Sequence, residues 1–200
     1  MDTASLIEWG GFLIIAILIF AETGLLIGLV VPGGETLVFT AGLLVSTDSL
    51  SVPVTILLIS LIVAGIVGDT SGYYIGKKFG RKLYDKRDTW YFKKKYLYLA
   101  ADYFAKHRKA AIIFGKYLPI IRPFSPVISG TTNMKFSVFI FLTVVASILY
   151  MSTYVLAGYF LGNQFPEIKE YLGWIVPISI VVALIPVFKQ LRKAKSNAQV

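Results

Sequence analysis

The chain of 200 residues contains no cysteine and a single histidine, His107. The first absence excludes disulfides and thiolate metal sites. The second excludes chemistry that needs a pair of histidines. Charge is scarce as well: Asp, Glu, Lys and Arg make up 16% of the residues, against about 25% in an ordinary soluble domain. What charge there is falls unevenly. Residues 1–76 hold no Lys or Arg and six acids, Asp2, Glu8, Glu22, Glu35, Asp48 and Asp69. The remainder holds all 20 bases against five acids, a balance of +15. The start lacks the basic opening and small-residue cleavage site of a secretory signal, and Glu22 interrupts its apolar run. There is no Gly-rich nucleotide loop, metal-ligand cluster or Ser–His–Asp set.

In place of these, 56% of the chain is hydrophobic, in runs long enough to cross a bilayer. The composition predicts an all-α polytopic membrane protein, with residues 1–200 forming one transmembrane domain. Residues 5–21 are apolar apart from Glu8 and form a first span. Residues 22–47 make two short apolar halves around Pro32, Gly33 and Gly34. Each half is roughly 15 Å long as helix, against a hydrocarbon core of about 30 Å. A half-length pair split in this way predicts a re-entrant hairpin, allowed only where protein or water satisfies the broken backbone.

Residues 51–76 make a full span. Its end carries Gly68, Gly72, Gly76 and Gly80, four apart, on one helix face where another backbone can approach closely. Packing inside the monomer is the plainer use of that stripe, and a homodimer face is the alternative. The basic segment 77–109 follows, with a surface helix expected at about 91–107, where tyrosines and phenylalanines alternate with lysines. Nucleic-acid stacking is set aside in favour of a headgroup-lying helix, because the segment is flanked by spans. Residues 110–134 return to short apolar pieces broken by Pro119, Pro123 and Pro126, a second re-entrant candidate. Spans at 136–162 and about 171–188 complete the chain, and 189–200 forms a basic tail.

The positive-inside rule places 77–109, the tail and both termini in the cytoplasm, giving about four spans. The two hairpins (about 22–47 and 110–134) then dip from opposite faces, as in an inverted repeat whose site lies where the tips meet.

Lys116 and Arg122 flank Pro119 in the second hairpin. The prolines disfavour helix at Leu118 and Arg122, which places both cations in or beside a break. At membrane depth each costs roughly 2.5–3.5 kcal/mol on insertion scales. Three arrangements meet that cost. One is a structural ion-pair network. Another is snorkelling to the interface, for which Lys116 is the better suited. The third is an anionic ligand held by the Arg fork and by freed backbone donors. Glu22, Glu35 and Asp69 supply opposite charge from the first half. A carboxyl balanced between desolvation and a cation can exchange protons near neutral pH. Acids and bases at midplane therefore predict a proton-coupled carrier of an anion or lipid phosphate.

FGKYLPIIRPFSPVISG (114–130) resembles the F-x-x-R-[FY]-[IVL]-P-x-[IVL]-R signature of the DedA family, also called SNARE-associated or VTT-domain proteins. GDTSGYYIGKKFG (68–80) resembles its GD-x-x-G-Y-x-x-G segment, and ETGLLIGLVVPGGE (22–35) its E…PG-[ED] segment. The resemblance implies two opposed re-entrant hairpins and lipid transport. For a bacterial member it implies return of undecaprenyl phosphate, or a similar anionic lipid, across the inner membrane, driven by the proton gradient and without a bound cofactor. Passive phospholipid scrambling is the activity of eukaryotic relatives. By position, Glu22 and Glu35 match the family's essential acids, Asp69 its GD acid and Arg122 its second arginine. Lys116 takes the place of the first arginine, keeping the charge without the bidentate fork.

Two further classes stand beside the carrier. K-x5-RP (116–123) is one residue short of the opening of membrane phosphatidic-acid phosphatases, which also need two downstream histidines. His107 lies upstream. A scaffold with only indirect effects on the envelope would move no lipid in proteoliposomes.

Overall fold

The structure is a computed structural model that describes residues 15–17, 19–20, 34–85, 94–107, 109–132, 134–165 and 167. All regular structure among these residues is helical. Of the first expected span only residues 15–17 and 19–20 are described, and these are helical. The first arm of the 22–47 hairpin, with Glu22, Pro32 and Gly33, lies outside the described residues, as do the last span and the basic tail.

Helix α1 runs Gly34–Ser46, 13 residues. It stops where Thr47 turns its hydroxyl back on the Leu43 carbonyl and Asp48 adopts a left-handed backbone, φ 55°, which a short polar side chain tolerates. Pro53 then precedes α2, Val54–Asp85. Its apolar part, Val54–Gly80, is 27 residues, about 40 Å at helical rise and long enough to cross a bilayer. The helix does not end at residue 76. No proline follows, and Lys77–Asp85 carry residues that a helix accepts, so it continues into the basic segment.

Helix α3, Lys94–His107, falls on the expected surface helix, of which residues 91–93 lie outside the described residues. Leu97, Ala100 and Phe104 are buried at spacings of three and four and pack with Tyr73, Ile112, Phe124 and Phe139. One face is thus held by the protein itself, while Tyr98 and Leu99 are exposed.

Residues 110–134 are broken, as their prolines predict. Helix α4, Ala110–Gly115, gives way to turns at 116–121. A single 3-10 turn, Arg122–Phe124, leads into α5, Ser125–Thr131. One expectation is corrected here. Arg122 is not forced out of helix by Pro123 but opens the 3-10 turn, because a proline in a first turn forfeits an N–H that has no partner there anyway. The last described helix, α6, is Phe136–Gln164, 29 residues.

Short helices pack on long ones through glycine, and the pattern occurs twice. A Cβ on Gly42 of α1 would lie 2.1 Å from the Val155 carbonyl oxygen of α6, and one on Gly158 would lie 2.1 Å from that of Phe39. A Cβ on Gly130 of α5 would lie 2.1 Å from the Tyr73 oxygen of α2, and one on Gly76 would lie 2.1 Å from that of Val127. The next glycines along, Gly162 and Gly80, face Ser46 and Thr131 in the same order. Thus α1, which leads into α2, packs on α6, while α5, which leads into α6, packs on α2. Gly68, Gly72, Gly76 and Gly80 are all buried. The stripe is taken up inside the chain, with α5 seated on its last two members.

Outward faces are apolar. Ile59, Val63 and Val67 of α2 and Phe141, Ile148 and Phe160 of α6 are exposed, a pattern suited to hydrocarbon and costly in water.

Candidate functional site

The irregular segment 116–121 is a run of tight turns. The Leu118 carbonyl accepts both the Ile121 and the Arg122 N–H, at 2.9 and 2.8 Å. These turns put the Lys116 and Arg122 side chains into the protein, while Leu118, Pro119 and Ile120 stay exposed. Both cations are nearly sealed, Lys116 at 4% exposure and Arg122 at 6%. The snorkelling arrangement for Lys116 is therefore overturned. Its amine turns inward because a carboxylate waits there.

That carboxylate is Asp69 of α2. Lys116 Nζ lies 2.7 Å from Asp69 Oδ2, and it also donates to Ser147 Oγ of α6. Desolvating two charges costs several kcal/mol per ion. A short charge-assisted contact and a neutral acceptor offset that cost.

Arg122 makes the second pair, with Glu35 in the first turn of α1. Nη1 lies 3.1 Å from Glu35 Oε1. A carboxylate in a first turn is also favoured by the helix dipole. The same Nη1 donates to Tyr150 Oη of α6 at 2.7 Å, and the guanidinium carbon lies 4.7 Å from the centre of the Tyr150 ring. Tyr117, from the broken segment, meets that ring edge-on at 5.4 Å, and Tyr154 packs against it at 4.8 Å.

The two pairs differ in access. Asp69 and Lys116 side chains are 8% and 5% exposed. Glu35 is 27% exposed against 6% for Arg122. One pair is closed. The other has an acid within reach of the surroundings and a cation directly behind it.

The structure thus brings together four of the charged residues singled out from sequence and joins them across α6. Gly34 opens α1 and is buried. Pro119 lies within the turns between the two cations, and Pro123 directly follows Arg122. Sequence reasoning missed Ser147, Tyr150 and Tyr117. A signal for the first two existed: Thr143, Ser147, Tyr150 and Tyr154 recur at spacings of four and three within an apolar span, which puts them on one helix face. Thr143, Ser147 and Tyr150 are indeed buried, and Thr143 Oγ1 has no hydrogen-bond partner among the described residues. No group of three or more His, Cys, Asp or Glu side chains that could hold a metal ion occurs among them.

The VTT domain family matches residues 31–160. DedA of Escherichia coli K12 is 31% identical over 189 residues, covering 94% of this chain and 85% of that protein. An uncharacterised membrane protein of Mycobacterium tuberculosis is 34% identical over 187 residues, covering 92% and 81%. A protein of Bacillus subtilis named undecaprenyl phosphate transporter A is 28% identical over 137 residues, covering 66% and 69%. The second of these is named as a membrane protein and the third as a transporter. No solved structure matches the chain.

Proposed function

We propose, from the premise that this chain belongs to the VTT-domain family that includes DedA, that it carries an anionic lipid phosphate across the membrane. The observation that carries this reading is the Arg122–Glu35 pair: a buried guanidinium whose partner acid is partly open. A phosphate monoester offers two oxygens spaced for the bidentate match that the planar guanidinium favours. It takes the place of the Glu35 carboxylate on Arg122, and Glu35 accepts a proton as it leaves. Glu22 shares that proton-coupling role, and Asp69 stays bound to Lys116.

Lys116 then serves the site by position. Committed to Asp69 and Ser147, it fixes the broken segment between α2 and α6. Its role as a direct phosphate ligand gives way to this one.

The repeated glycine crossings support an inverted repeat, with 22–47 and 110–134 as re-entrant hairpins and the site at their meeting point. Rocking of one half against the other opens the Arg122–Glu35 pair to alternate sides. The lipid tail remains in the bilayer. Undecaprenyl phosphate is the substrate favoured, because a relative bears that name. The setting is the bacterial inner membrane, with both termini cytoplasmic and the proton gradient as energy source.

The test is transport of undecaprenyl phosphate in proteoliposomes by Arg122→Ala and Glu35→Gln. The expected result for Arg122→Ala is loss of transport. For Glu35→Gln it is transport that no longer responds to a pH gradient. Wild-type behaviour of both variants would reject the assignment. Phospholipid movement that ignores a pH gradient in the wild type would instead mark a passive scramblase.

A further inference from the structure

Arg122 Nη1 has two acceptors of different kinds. Glu35 is charged and partly open, at 27% side-chain exposure. Tyr150 is neutral and fully buried. If a phosphate is to displace the first, something must keep the guanidinium from following the departing carboxylate or swinging away. An Arg side chain has several rotatable bonds, and holding it costs rotamer entropy.

Tyr150 meets that need in two ways. Its oxygen accepts from Nη1 at 2.7 Å, which fixes the direction of one arm of the fork. Its ring lies 4.7 Å from the guanidinium carbon, within the range of cation–π attraction. Neither contact carries negative charge, so neither competes with an incoming anion as a carboxylate does. The ring is itself buried and packed on more than one side. It sits on the long helix α6, with Tyr117 edge-on at 5.4 Å and an interplanar angle of 66°, and Tyr154 at 4.8 Å. Tyr117 is tied to α6 in turn, its hydroxyl 3.2 Å from Thr153 Oγ1. The broken segment and α6 thereby fix one another beside the cation.

We propose that Tyr150 is a positioning residue, holding the Arg122 guanidinium in place while the lipid phosphate displaces Glu35. The proposal rests on the reading of Arg122 as the phosphate ligand. It adds a residue that no charge pattern marks, and it assigns the tyrosine to binding of the anion, not to the proton step.

Tyr150→Phe tests it, because the substitution removes one oxygen and keeps the packed ring. Transport is measured with undecaprenyl phosphate in vesicles, varying its mole fraction. The expected result is an apparent KM raised roughly tenfold, the effect of losing one hydrogen bond to a charged group, with kcat little changed and the thermal midpoint in detergent unmoved. Tyr150→Leu, which also loses the ring face, raises KM further. An unchanged KM in Tyr150→Phe would overturn the proposal. So would a fall in kcat and thermal midpoint at constant KM, or a Tyr150→Phe protein that does not fold, since both describe a purely structural tyrosine. Arg122→Ala in the same assay separates the two levels. If it transports like wild type, the phosphate reading itself fails. If it is inactive while Tyr150→Phe keeps a wild-type KM, only the role of Tyr150 fails.

Discussion

Asp69 and Glu35 each face a buried cation, yet removing them should have different consequences. Asp69 neutralises a lysine with almost no access to its surroundings. Asp69→Ala leaves that ammonium unpaired, at a cost on the order of 3–5 kcal/mol. The expected outcome is a thermal midpoint in detergent lowered by several degrees or more. Asp69→Asn combined with Lys116→Met should recover most of that loss, because a neutral pair of similar volume replaces a buried ion pair without an orphan charge. A double variant as unstable as Asp69→Ala alone would show that the pair does more than balance charge. The four charged residues of this cluster were legible in the sequence because ionisable groups stand out in apolar runs. Tyr150 and Ser147 were not, since a tyrosine or serine in a span looks like ordinary helix packing until a cation is seen against it. The inward turn of Lys116 was also hidden. Its long stem could reach the interface or the interior, and the distance to Asp69 decides between them.

The helices are held together chiefly where they come closest, so their prediction concerns glycine. A Cβ on Gly158 would sit 2.1 Å from the Phe39 backbone oxygen, and one on Gly76 would sit 2.1 Å from that of Val127. Backbone cannot yield cheaply. At Gly65 the nearest atom is the Met151 methyl end at 3.2 Å, which a flexible side chain can move. Gly158→Ala and Gly76→Ala should each cost about 1–3 kcal/mol or more through overpacking, read as a lower thermal midpoint. Gly65→Ala should be near neutral. Equal effects at all three positions would contradict the close crossings. The stripe at 68–80 was plain in the sequence as a spacing of four, but its partner was not: Gly130 stands 15 residues from the other glycine of its proline-broken stretch, Gly115, and Gly42 lies in the first hairpin candidate while Gly158 lies in a span. The break at 116–121 was legible from its prolines. The helical start at Arg122 was not, because a proline's effect depends on whether it falls in a first turn or later.

Taken as one molecule, the chain packs α1 and α5 each on the long helix of its other half, and Glu35 and Arg122 come from opposite halves. In the proposed exchange, displacing Glu35 from Arg122 would part the halves at the same point where the phosphate would enter. The membrane class and the broken second half could be read from hydropathy and proline positions alone. The exchange of partners between halves could not, because only contacts distant in sequence express it. The central claim is that a lipid phosphate replaces Glu35 on Arg122. It is tested most directly by solid-state NMR of protein labelled with 15N-arginine, in a phosphorus-free glycolipid bilayer holding undecaprenyl phosphate. Dephasing of a guanidinium 15N signal by 31P should be seen in the wild type and be absent in Arg122→Lys. Equal dephasing in the two proteins, or none in either, would contradict the account.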